Sequence, residues 1–147
     1  MPKRPKPSMT EPRPARPYKV FVSHATLDKW VACVICEKLD AVGGVETFRD
    51  DRDIRGGDDI PETLRAQILT SQELVVLLSP VSVTRPWVNL EIGATWGQGL
   101  WIVPLCYHVG MDQVPAMLQK KKAYTLNDCD RYLDELRQRV RDWEGGP

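Results

Sequence analysis

The sequence has no long apolar run. Its longest uninterrupted one, Trp30–Cys36, is seven residues, far short of the roughly 20 that a membrane-spanning helix needs. Net charge is missing as well: Lys and Arg number 20, and so do Asp and Glu. There is then no bulk basic face of the kind that displaces counterions from nucleic acid. Neither direct nucleic-acid binding nor a membrane partner is expected. The N-terminus is basic but has no apolar stretch behind it, so it does not read as a secretory signal. Without a route to an oxidising compartment, the four cysteines are expected as free thiols in a cytoplasmic protein. Cys33 and Cys36 form a CxxC, but inside a helical pattern and not at its start, where the amide dipole would lower a thiol pKa. No second CxxC completes a zinc site, and Cys106 with His108 is too small a donor set, so no metal is expected.

Familiar catalytic signatures are absent too. No GxxxxGKS/T loop is present, which argues against a P-loop nucleotide hydrolase. Gly97-x-Gly99 lacks a third glycine and precedes a strand pattern instead of following one, so it is no dinucleotide fingerprint. There is no HExxH and no GxSxG elbow, and only His24 and His108 could serve a Ser or Cys nucleophile.

What is present is one domain's worth of ordinary globular chain: 147 residues, 42% hydrophobic and 27% charged. Residues 1–17 hold six of the twelve prolines and five basic side chains against Glu11 alone. Such a leader cannot bury enough apolar surface to offset its ordering entropy, and is expected to be disordered or extended. From residue 18 to 143 apolar runs alternate with amphipathic stretches. Strands are expected at Tyr18–Ser23, Val45–Phe48, Leu74–Ser79 and Trp101–Cys106, with a brief one near Ala123–Leu126. Helices are expected from Thr26, as cap, to about Val42; from Asp58 or Asp59 through Pro61 to about Thr70; from Pro86 to Gln98; and from the cap Asn127 onward. The first carries Val31, Val34, Ile35 and Leu39 on one stripe, and the last Leu133, Leu136, Val140 and Trp143. Met111–Lys122 reads as a short helix or irregular segment. Strand and helix alternation of this kind implies an α/β fold: a parallel sheet with helices on both sides.

In such a sheet ligands bind beyond the carboxyl ends of the strands. After the first strand come Ser23, His24 and Ala25, after the second Arg49, Asp50 and a charged, glycine-bearing loop, and after the third Ser79 and Pro80. The helix that follows opens with Trp87-Val88-Asn89-Leu90-Glu91. Trp87 and Glu91 are four apart and share a helix face. An acid beside an indole suits a ligand with a flat ring and developing positive charge. An ordinary amphipathic helix, with a solvated Glu and a core Trp, has the same spacing. His24 likewise reads either as a ligand contact or as a loop-capping imidazole.

Taken together, YKVFVSHATLDKW (18–30), FRDDRDIRGGDDI (48–60) and LLSPVSVTRPWVNLEIGA (77–94) resemble the three boxes of the Toll/interleukin-receptor (TIR) domain family, particularly its bacterial members. The resemblance implies a flavodoxin-like three-layer sandwich with a five-stranded parallel sheet. It also implies NAD+ cleavage at the nicotinamide–ribose bond, with Glu91 as the catalytic residue and NAD+ as substrate, without a resident cofactor. Ser23, His24, Ala25, Arg49, Asp50 and Trp87 would line the pocket, and Asp53 would fold over it with its loop. Val88 stands where relatives often have Cys. Further implied are self-association through TIR–TIR contacts, a separate regulatory protein, and a role as a bacterial defence effector releasing ADP-ribose or a cyclic isomer. Two other readings stand beside this one: a non-catalytic TIR interaction module, including one that interferes with host signalling, and a nucleoside deoxyribosyltransferase-like enzyme.

Overall fold

A computed structural model describes residues 16–50, 61–85, 91–92, 95 and 99–145. Five parallel strands form one sheet: β1 (Tyr18–Ser23), β2 (Val45–Arg49), β3 (Glu73–Leu78), β4 (Trp101–Cys106) and β5 (Tyr124–Thr125). They run in the order β2-β1-β3-β4-β5, the flavodoxin-like arrangement. Phe21 stands opposite both Phe48 and Leu74, and Val75 opposite Val103. β5 pairs only with Leu105 and Cys106. Beside Pro104, β4 is therefore an edge, where a residue without an N–H is tolerated.

Helices α1 (Lys29–Asp40), α2 (Glu62–Leu69) and α3 (Cys129–Glu144) flank the sheet, and Glu91, Ile92 and Thr95 are helical as well. The two-residue period of the strands splits the core in two. On one face Val20, Val22, Val75, Leu77, Val103 and Leu105 pack with α1 and α3. On the other, Phe21, Leu74, Val76, Leu78 and Ile102 pack with Leu64 and Ile68 of α2 and with Ile92. β3 is buried along its whole length, as a central parallel strand covered on both sides must be.

β1 and β4 have the expected bounds; several helix details differ. The α1 stripe is Ala32, Ile35, Cys36 and Leu39, with Val31 and Val34 half-buried on its flank. Thr26 does not cap α1. A 3-10 turn, Thr26–Asp28, intervenes and places Asp28 at the cap position. Another such turn, Leu126–Asp128, displaces Asn127 from the cap of α3 in the same way. Pro61 immediately precedes α2 and does not lie within its first turn; Asp58 and Asp59 lie outside the described residues. Met111–Lys122 contains two 3-10 turns, Met111–Gln113 and Ala116–Leu118.

Most of the leader, residues 1–15, lies outside the described residues. Arg16 is fixed against the end of α3, its guanidinium 5.2 Å from the Trp143 ring centroid and its carbonyl accepting from Trp143 Nε1 at 3.0 Å. The four cysteines are free, and burial pushes the thiols of Cys36, Cys106 and Cys129 up. No helix among the described residues is long and apolar enough to cross a membrane.

Candidate active site

The strand order reverses between β1 and β3, and there the carboxyl ends of an open parallel sheet leave a crevice. β1 alternates Val20 and Val22 toward α1 and Phe21 toward the opposite face. Ser23 continues the Phe21 set. It therefore points to the face on which Ile92 packs, and Glu91 is Ile92's neighbour. There the Ser23 hydroxyl donates a hydrogen bond to Glu91 Oε2, in a fully buried contact. Glu91 is 2% exposed, which disposes of the solvated-helix reading of its spacing. The backbone carbonyl of Glu91 accepts from Thr95 Oγ1 at 2.9 Å, one turn along the same helix.

A carboxylate taken out of water favours its neutral form. Burial accordingly pushes the Glu91 carboxyl up to about 8, against the downward pull of the Ser23 hydroxyl, and the negative charge of Asp50 pushes it further in the same direction. Two acids are thus electrostatically coupled here, one from the end of β2 and one from the helix after β3. An acid of this kind is ionised only when a positive charge arrives beside it or the pH is raised.

His24 and Ala25 follow Ser23 and are buried, Ala25 against the same core as Ile92. Arg49 stands opposite Val22 and so takes the α1 face, where its guanidinium acts on the Cys36 thiol. Ser23, Asp50 and Glu91 are thus brought together, and Arg49 is directed away from them by the strand period. Trp87 and Asp53 lie outside the described residues. Two further residues meet near the crevice: Ser79, which the sequence placed just after the third strand, and Asp28, which it did not single out. Asp28, at the start of α1, accepts a hydrogen bond from the Ser79 hydroxyl at the end of β3. Ser79 is locked in turn: its Oγ accepts from the Ser82 amide at 3.0 Å, and its own amide donates to Ser82 Oγ at 2.8 Å. The only signal for this clasp was the position of both residues just past the strands that flank the crevice. Among the described residues no His, Cys, Asp and Glu side chains cluster in a group able to hold a metal ion.

Known proteins resemble the chain in sequence and in fold. Of the curated relatives, NAD(+) hydrolase TirS of Staphylococcus aureus is 30% identical over 136 residues, covering 84% of this chain and 46% of its own length. The 2′ cyclic ADP-D-ribose synthase BtTIR of Bacteroides thetaiotaomicron is 21% identical over 141 residues, covering 89% of this chain and 47% of its own. The chain thus spans just under half the length of both. Among solved structures, the TIR domain of the Toll-related receptor TRR-2 from Hydra magnipapillata superposes with a TM-score of 0.61 at 23% identity, covering 84% of this chain and 96% of that one. A TIR-STING receptor from C. gigas gives 0.64 at 21% identity, covering 87% and 40%. At these identities the superpositions show a shared fold. Residues 20–140 match the sequence profile described as "TIR domain", and the chain belongs to the TIR domain family.

Proposed function

We infer that the chain cleaves NAD+ at the nicotinamide–ribose bond, with Glu91 as the catalytic carboxylate. The observation that carries this reading is the burial of Glu91 at the β1/β3 switch point, where it accepts from Ser23 and feels the charge of Asp50. The names of the two bacterial relatives, an NAD+ hydrolase and a cyclic ADP-ribose synthase, support it.

One carboxylate suffices for the chemistry. Glycoside cleavage passes through an oxocarbenium-like state and ordinarily needs a second acid to protonate the leaving oxygen. The nicotinamide of NAD+ is already cationic and departs neutral, so no proton has to be delivered. Glu91 would hydrogen-bond the ribose hydroxyls and stabilise the positive charge that develops at the anomeric carbon. In the free protein its proton is held by burial. The cationic substrate would lower its pKa and leave it charged when needed. Capture of the cation by water gives ADP-ribose, and capture by an adenine nitrogen gives a cyclic isomer. Association of several copies through TIR–TIR contacts, with or without a separate regulatory protein, would order the surroundings of the site; a bacterial defence role fits an activity that depletes NAD when triggered.

The test is nicotinamide release from NAD+, followed by liquid chromatography for the wild type and Glu91→Ala over a range of protein concentrations. The expected result is release by the wild type, steepening with concentration, and a loss of at least about 100-fold in the variant, the scale of removing one electrostatic stabiliser. A folded wild type that releases none at any concentration favours the interaction-module reading. Cleavage of deoxynucleosides in place of NAD+ favours the transferase.

A further inference from the structure

The start of α1 carries the most exposed aromatic ring among the described residues. Trp30 is 76% exposed, and Leu27, just before it, 73%. The rings of Trp101 and Trp143 carry the guanidinium groups of Arg139 and Arg16. That of Trp30 meets no aromatic ring or cation among the described residues. It borders a groove of about 260 Å³ between α1 and the start of α3, together with Val31, Val34, Lys38, Tyr107 and Leu126. Val31, Val34 and Leu126 are half-buried, so the floor is apolar and open to solvent. At 1.5 Å per residue the α1 side, from Trp30 to Lys38, is about 12 Å long. Apolar grooves walled by aromatic rings are surfaces on which extended proline-bearing segments dock.

We propose that Pro2–Pro7 of this same chain, Pro-Lys-Arg-Pro-Lys-Pro, docks in the groove as a polyproline helix. Its tether is long enough. Arg16 is fixed at the far end of α3 by Trp143, and Cys129, which opens α3, lines the groove. Fourteen helical steps (143 − 129 = 14) separate Cys129 from Trp143, a distance of about 21 Å. The eight steps from Arg16 back to Ser8 cover about 25 Å at 3.1 Å each, and Pro2–Pro7 then spans about 16 Å, the scale of the groove.

Three residues per turn put Pro2 and Pro5 on one face of such a helix and Lys3 and Lys6 on another. The prolines take the Trp30 side. The lysines are drawn to Asp128 and Asp130, which flank Cys129, are exposed and form no ion pair among the described residues. Lys38, on the α1 side, repels them, so the basic face turns toward α3. Arg131 lies roughly 200° round the helix from Cys129 and points away from the groove. Tethering supplies a local concentration on the order of millimolar, at which even a modest contact is occupied.

The test uses the full chain, isotope-labelled, with nuclear Overhauser contacts and indole N–H shifts read by NMR. The expected result is contacts between the δ protons of Pro2, Pro5 or Pro7 and the Trp30 ring, unchanged on tenfold dilution. The triple variant Pro2→Ser/Pro5→Ser/Pro7→Ser abolishes them and shifts the Trp30 indole, and Trp30→Ala abolishes them as well. Should Trp30→Ala lose its fold, the proline variant, which leaves every residue of the groove in place, still decides. Absence of these contacts overturns the proposal, as does a Trp30 indole shift that the proline variant leaves unchanged. Contacts that fade on dilution assign the groove to a second copy of the chain and overturn it too. None of these readouts involves NAD+ cleavage, so that reading and this one stand or fall separately.

Discussion

Ser23, the last residue of β1, donates a hydrogen bond to the buried carboxylate of Glu91, 68 positions further along the chain. That bond favours the charged form of Glu91, while burial and Asp50 oppose it. Ser23 and Asp50 thus pull the Glu91 pKa in opposite directions, and both can be varied. In kcat/KM for NAD+ cleavage, which reports the free enzyme, activity is expected to rise with pH toward a limb near 8. Ser23→Ala moves the limb to higher pH and Asp50→Asn moves it to lower pH. A pH–rate series on the three proteins checks this, and limbs shifting in the same direction would contradict it.

The same carboxyl has a consequence for stability. Its folded pKa, about 8, lies above the roughly 4.3 of an unfolded glutamate. Between those values the native state binds more protons than the unfolded one. Stability from this group is therefore complete below about 4.3 and falls as pH rises toward about 8. Glu91→Gln removes the titration. Its melting temperature should exceed that of the wild type at pH 8 and above, with the gap closing as pH falls toward 4. Thermal melts across that window measure it, and a gap independent of pH would rule out the buried charge as its cause.

At the opposite end, Glu73 is wholly buried and receives Tyr18, Tyr132 and the fork of Arg139. Glu73→Ala leaves a guanidinium and two hydroxyls without their acceptor. The expected loss is about 3–5 kcal/mol, read by urea unfolding. Tyr132→Phe, which removes one donor and leaves the ion pair, should cost about 1 kcal/mol. A Glu73→Ala loss no larger than that of Tyr132→Phe would mean the network is not clamped as described.

How much of this could be read from the sequence depended on the range of the interaction. β1 and β4 were legible because alternation and unbroken apolarity are local signals. The place of Glu91 was legible because its helix follows β3 and the flavodoxin-like order puts the crevice there. The side of α1 that faces the sheet was not. Apolarity alone cannot separate Val34, on the flank, from Cys36, in the core; how the helix is rotated against the sheet decides that. Nor was Glu73. An acid at the mouth of an apolar run reads as a solvated strand entry, and its partners are 55, 59 and 66 positions away. Arg49 and Asp50 are adjacent and were taken together, but the strand period sends the first toward Cys36, leaving Asp50 to act on Glu91.

The bond between Asp28 and Ser79 spans the same switch point as that between Ser23 and Glu91. Asp28 stands at the cap position of α1 but makes no side-chain cap bond there; its carboxylate is turned to β3 instead. It still lies at the positive end of the helix dipole, which favours its charge. Asp28→Ala should therefore lose both terms, about 1–2 kcal/mol, and Ser79→Ala less. The two losses should fail to add, with a coupling of about 0.5 kcal/mol or more in a double-mutant cycle of urea midpoints. Because the clasp fixes the start of α1, five residues after Ser23, loosening it should lower NAD+ cleavage by more than the lost folded fraction explains. Additive losses with unchanged turnover would reduce the pair to a surface contact with no hold on the crevice.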